Sequence, residues 1–181
     1  MKTKIINIYK FEELEPEAQE KVLSDFREQE EFYFLEDCLT EDLKQELDKN
    51  KIEYNDDLKV LYSLSCCQGD GFCFIGTFKT KNAEFKITHN SRYYHKKSTE
   101  IVLINLKVGK EFKDIYDLND KQENKADKIL IDFENQYYNI CDDLEKLGYA
   151  YIDDTLKDEH IKENIELNEY TFRSNGEMES L

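Results

Sequence analysis

Tryptophan is absent from this 181-residue chain and proline occurs once. One proline and six glycines leave no long flexible linker and no proline-rich spacer. No run reaches the roughly 18 apolar residues that a membrane-crossing helix needs. Residues 1–11 lack a continuous apolar core, so no secretory signal is expected and the chain is assigned to the cytoplasm. Positive charge is scarce: 25 Lys and Arg stand against 41 Asp and Glu, a net −16. That balance repels nucleic-acid phosphates and anionic lipid, so neither direct nucleic-acid binding nor membrane attachment is expected. A partner with a basic surface is the charge-compatible kind. Five cysteines, with no Cys-x-x-Cys, argue against a disulfide framework.

What is present makes a core. Aromatic residues are 13% of the chain, too many for a disordered one. The length suits a single domain, residues 1–181, with a sizeable interior. Its centre is the longest apolar run, residues 58–78, LKVLYSLSCCQGDGFCFIGTF. Val60, Tyr62 and Leu64 alternate with Leu61, Ser63 and Ser65, the two-residue period of a strand. Gln68-Gly69-Asp70-Gly71 breaks the run as a tight turn, and Phe72, Phe74 and Gly76 alternate with Cys73, Ile75 and Thr77 on the way back. Apolar residues on both faces predict a central β-hairpin.

Ile5, Ile6, Ile8 and Phe11 suggest a short first strand. Pro16 suits the first turn of a helix over 16–29, with Ala18, Val22, Leu23 and Phe26 on one face. Leu35, Leu39, Leu43 and Leu47 continue at helical spacing, so a break near Glu30 or Thr40 separates a second helix at 35–48. Ala83, Phe85 and Ile87 predict a third strand, and residues 101–108 a fourth. From residue 120 to Leu147 apolar residues recur every three or four positions, a long helix ended by Gly148. A shorter helix near 155–167 and a last strand at Tyr170 and Phe172 complete an α+β fold, an antiparallel sheet covered by amphipathic helices.

Candidates for chemistry are few. Cys66, Cys67 and Cys73 lie near His89 and His95, but neighbours in a strand point to opposite faces and the zinc spacings are missing, so no metal is expected. Gln68 and Asp70 in the glycine turn, and Arg92, Tyr93, Tyr94 and His95 beyond the third strand, are the candidate ligand or motif site. Neither segment matches a phosphate-binding fingerprint, and no catalytic residue or cofactor is assigned. Acidic residues crowd the break between the first two helices: Glu28, Glu30, Glu31, Glu36 and Asp37 are the candidate partner-binding set.

Four places resemble a family of bacteriophage and prophage proteins: FEELEPEA at 11–18, the Gln-Gly-Asp-Gly turn at 68–71 with its phenylalanine strand, Tyr93-Tyr94-His95 beside Arg92, and the Asn168-Glu169…Phe172 ending. This chain departs by carrying Cys67 where serine is usual and no aromatic at 64–66. The resemblance implies a phage-side protein in the bacterial cytoplasm, an acidic inhibitor that binds a host defence protein or ribonucleoprotein, with anti-CRISPR action one form of it. Some members carry an antitoxin label, so masking of a toxin is an alternative. A small nucleotide-processing enzyme using His95, Asp70 or a cysteine is a third.

Overall fold

A computed structural model describes residues 7–179. In chain order the elements are helix α1 (Pro16–Gln29), helix α2 (Leu35–Lys49), strands β1 (Glu53–Tyr54), β2 (Lys59–Ser63), β3 (Gly71–Lys79), β4 (Ala83–His89), β5 (Thr99–Val108) and β6 (Glu111–Asp114), helices α3 (Asp120–Thr155) and α4 (Asp158–Leu167), and strands β7 (Thr171–Phe172) and β8 (Met178–Glu179). The fold is α+β, with a six-stranded antiparallel sheet. Two compact units divide the chain, Phe34–Tyr149 and the combination of Met1–Tyr33 with Ala150–Leu181.

The unit Phe34–Tyr149 contains the sheet. Its order is β1-β3-β4-β5-β6, and β2 also pairs with β3, along the side that β1 occupies further on. The hairpin expected at 58–78 is therefore present, with β3 in the interior and β2 at an edge. That placement explains why Phe72 and Phe74 are buried while Val60 and Tyr62 are half-buried. The step from β1 to β2 sits opposite Gly76, whose φ of 147° lies where side chains are disfavoured. Asp57 fills the step: its carboxylate accepts from the Thr77 amide at 2.9 Å and the Thr77 hydroxyl at 2.8 Å, and pairs with Lys86 at 2.5 Å. The Lys86 ammonium beside Asp57 is the main influence holding its carboxyl down, to about 2.

Helix α2 forms from a leucine at every fourth position. Leu35, Leu39, Leu43 and Leu47 are all buried, while Glu36 and Asp37 occupy the first turn, where the helix dipole favours negative charge. Helix α3 contributes Phe133, Tyr137, Ile140, Cys141 and Leu144 to the interior. Phe133 stacks on Phe85 of β4 with ring centres 3.8 Å apart, and Tyr137 lies 4.5 Å from Phe74 of β3. The Tyr137 hydroxyl donates to the Phe74 carbonyl at 3.1 Å, so its one polar atom enters the core with a partner.

Gly148 does not end α3, which continues to Thr155. It is buried, and a Cβ there would run into the Leu64 side chain, with Leu39 at 3.5 Å. Close packing rather than helix termination explains this glycine.

The second unit contains α1, α4 and the β7–β8 hairpin. Its core is Phe11, Leu14, Ala18, Val22, Leu23, Ile161, Ile165 and Phe172. An ion pair from Arg27 to Asp158 ties the two helices at their surface, and Arg27 also pairs with Glu20 within α1. The expected first strand falls partly outside the described residues. Of the remainder, Tyr9 makes an isolated bridge with Phe172, and Phe11 opens a short 3-10 turn.

The Phe133–Phe85 stack supplies a stability test. Replacing Phe133 by alanine should cost about 3–5 kcal/mol, seen as a lower denaturant midpoint. An unchanged midpoint would mean that this face of α3 does not pack on the sheet.

Candidate functional site

The loop joining β2 to β3 spans residues 64–70, and its conformation is organised by one carboxylate. Asp70 Oδ1 accepts from the Ser63 hydroxyl at 3.0 Å and the Cys67 thiol at 3.1 Å. Its Oδ2 accepts from the amides of Ser65 at 2.7 Å and Cys67 at 2.9 Å, and from the Tyr149 hydroxyl of α3 at 2.6 Å. Loop backbone, strand end and helix thus converge on one side chain. Burial, the largest single influence on this carboxyl, opposes ionisation. The bonds from Tyr149, Cys67 and Ser63 together outweigh it and hold the group far below the ordinary carboxylate range. The same bond, from the other side, pushes the Tyr149 phenol up to about 12.

The two candidate motif segments meet. A Cβ on Gly69 would lie 2.9 Å from the Tyr93 ring, and one on Gly71 would lie 2.9 Å from the His95 Cα. Glycine is needed at both places because the 92–95 segment packs directly on the turn. That segment is itself held: His89 Nε2 is 2.9 Å from the Tyr93 carbonyl, and His95 Nδ1 accepts from the Lys97 amide at 3.1 Å. The Arg92 guanidinium lies over the Tyr93 ring at 5.7 Å. Lys96, from the same basic stretch, pairs with Asp142 of α3. Gln68, Arg92, Tyr93 and Tyr94 are exposed, whereas Asp70 and His95 are half-buried.

Chemically, this arrangement is a clamp. A general base needs a free lone pair at the reacting atom, and both oxygens of Asp70 are occupied. Sequence reasoning found Asp70, Arg92 and His95 but missed Tyr149 and Ser63. Tyr149 is 79 residues from Asp70 in the chain. No local pattern joins them, and reading Gly148 as a helix end placed Tyr149 outside the helix that presents it.

Cys66 and Cys67 are not strand residues. They lie in the loop, Cys66 in the left-handed region at φ 56°, and both are exposed. The alternation that would send them to opposite faces does not apply. Among the described residues no group of three or more His, Cys, Asp or Glu could hold a metal ion.

The five acidic candidates divide between the units. Glu28, Glu30 and Glu31 belong to one, at and just beyond the end of α1; Glu36 and Asp37 belong to the other, in the first turn of α2. Glu30 also lines a cavity of about 500 Å³, whose apolar wall is Val22, Phe26, Tyr170, Phe172 and Met178. Comparison of the chain with family models, curated proteins and solved structures gave no match.

The clamp can be tested through its helix end. Tyr149→Phe removes one hydrogen bond to a charged acceptor and should destabilise the chain by about 1–3 kcal/mol, with one raised phenol, at about 12, lost from the ultraviolet titration. No change in either measurement would place Tyr149 away from Asp70.

Proposed function

We propose that the protein works by binding rather than catalysis, presenting negative charge to a basic protein or ribonucleoprotein surface. The observation that carries this reading is where the charge lies. Met1–Tyr33 with Ala150–Leu181 contain 18 acidic and 8 basic residues, a net −10, whereas Phe34–Tyr149 contain 23 and 17, a net −6. The smaller unit therefore carries most of the excess. None of the described charged residues is buried, so this charge faces solvent where a partner can meet it. The engaged carboxylate of Asp70 supports the non-catalytic half of the reading.

A basic groove that normally holds nucleic acid is the complementary surface. The resemblance to phage proteins points to a host defence protein or its guide-RNA complex, inhibited in the bacterial cytoplasm in the manner of an anti-CRISPR protein. The cavity beside Glu30 favours a second reading, an antitoxin that seats an apolar side chain of a toxin among Phe26, Tyr170 and Phe172.

Capture from a bacterial lysate, followed by binding and inhibition assays with the recovered protein, separates these readings. Charge recognition predicts affinity that falls steeply with salt, because screening shortens to about 8 Å at physiological ionic strength. Glu30→Lys combined with Glu31→Lys should then weaken binding roughly tenfold, about 1.4 kcal/mol, without lowering the thermal transition. Salt-insensitive binding that is lost on filling the cavity would support the antitoxin reading. Turnover at substoichiometric protein, abolished by His95→Ala and untouched by charge reversal, would contradict both and restore the enzyme.

A further inference from the structure

The five cysteines occupy different surroundings. Cys73 and Cys141 are buried; burial pushes the Cys73 thiol up to about 12 and raises that of Cys141 as well. Cys38 is half-buried in α2. Cys66 and Cys67 alone are exposed, adjacent in sequence and set in a loop. A small reagent thus meets two neighbouring thiols with no strand pairing to hold them apart.

We infer that Cys66 and Cys67 form a reversible paired-thiol site, closed to a disulfide by a low-molecular-weight disulfide such as oxidised glutathione. One cysteine, as its thiolate, attacks the reagent; a mixed disulfide forms and one small thiol leaves with a proton. The neighbouring thiolate then attacks the protein-side sulfur of that mixed disulfide and expels the second small thiol. In sum, the two protein thiols lose two electrons and two protons, and one small disulfide becomes two small thiols.

Reversibility follows from spacing. Cα atoms joined by a trans peptide lie about 3.8 Å apart, short of the roughly 4.4–6.8 Å that an unstrained disulfide spans. The closed ring is strained and opens readily to a reducing thiol, which places it among labile rather than structural disulfides. Closure also reaches the clamp. Cys67 no longer has a hydrogen to donate, so Asp70 Oδ1 keeps Ser63 alone of its two donors, while the three donors to Oδ2 do not depend on the thiol.

The test incubates the folded full chain with excess oxidised glutathione, alkylates the remaining thiols and maps them by mass spectrometry. The expected product is a monomer lighter by two hydrogens, with alkylation lost at Cys66 and Cys67 and regained after dithiothreitol. Cys66→Ser and Cys67→Ser should each retain the glutathione adduct on the remaining cysteine, with an unchanged thermal transition. The parent chain's mass shift stands independently of how either variant folds. A glutathione adduct that persists on the parent chain, a disulfide-linked dimer, oxidation elsewhere in the chain, or a fully reduced chain would overturn the inference.

Discussion

The carboxylate of Asp70 fixes the part of the molecule that most resembles an active site. A seven-residue loop with two exposed thiols and a glycine on either side of the aspartate has little apolar surface of its own to bury. It is ordered because one charged group accepts five hydrogen bonds, from strand β2, from its own backbone and from helix α3. Charge-assisted bonds are about twice as strong as neutral ones, and a convergent set polarises its members further. Once the loop is fixed, Gly69 and Gly71 present a surface on which Tyr93 and His95 pack. The order of dependence runs from Asp70 to the turn, and from the turn to the 92–95 segment.

The same economy appears in the sheet. Asp57 bridges the step between β1 and β2 and pairs across β3 with Lys86 of β4, while Lys79 pairs with Glu84 at 2.8 Å. Basic groups in this acidic chain are thus drawn into local partnerships on the sheet, and Lys96 is drawn to Asp142. The excess of negative charge is concentrated in the unit built on α1 and α4. The ion pairs of the sheet and the larger share of the surplus negative charge lie in different parts of the chain.

Periodicity made much of the fold legible. Leucines four apart announced α2, Pro16 marked the start of α1, and the alternation at Ala83, Phe85 and Ile87 gave β4. It gave the wrong role to Gly148, because a glycine after an apolar helical run has the same local pattern whether it caps the helix or admits a side chain from elsewhere. Two-sided apolarity placed β2 inside the sheet, although among the described strands it pairs with β3 only and forms an edge there. At the candidate site, the Gln-Gly-Asp-Gly turn and the Arg92–His95 segment were both visible, but their contact was not. Nothing in either segment encodes the other, and Tyr149 reaches Asp70 only through the length of α3.

The central claim, that Asp70 is a saturated structural anion and not an acid–base group, is most directly tested by following its carboxyl carbon by nuclear magnetic resonance as pH falls. A carboxyl depressed in the folded state contributes stability that is fully present above its unfolded value, about 3.9, and is lost as pH drops through the folded value. The account predicts that Asp70 stays ionised after exposed aspartates have protonated, with the Ser65 and Cys67 amides protected over the same range. An inflection at or above about 3.9 would contradict it, because a carboxyl available for proton transfer titrates there or higher.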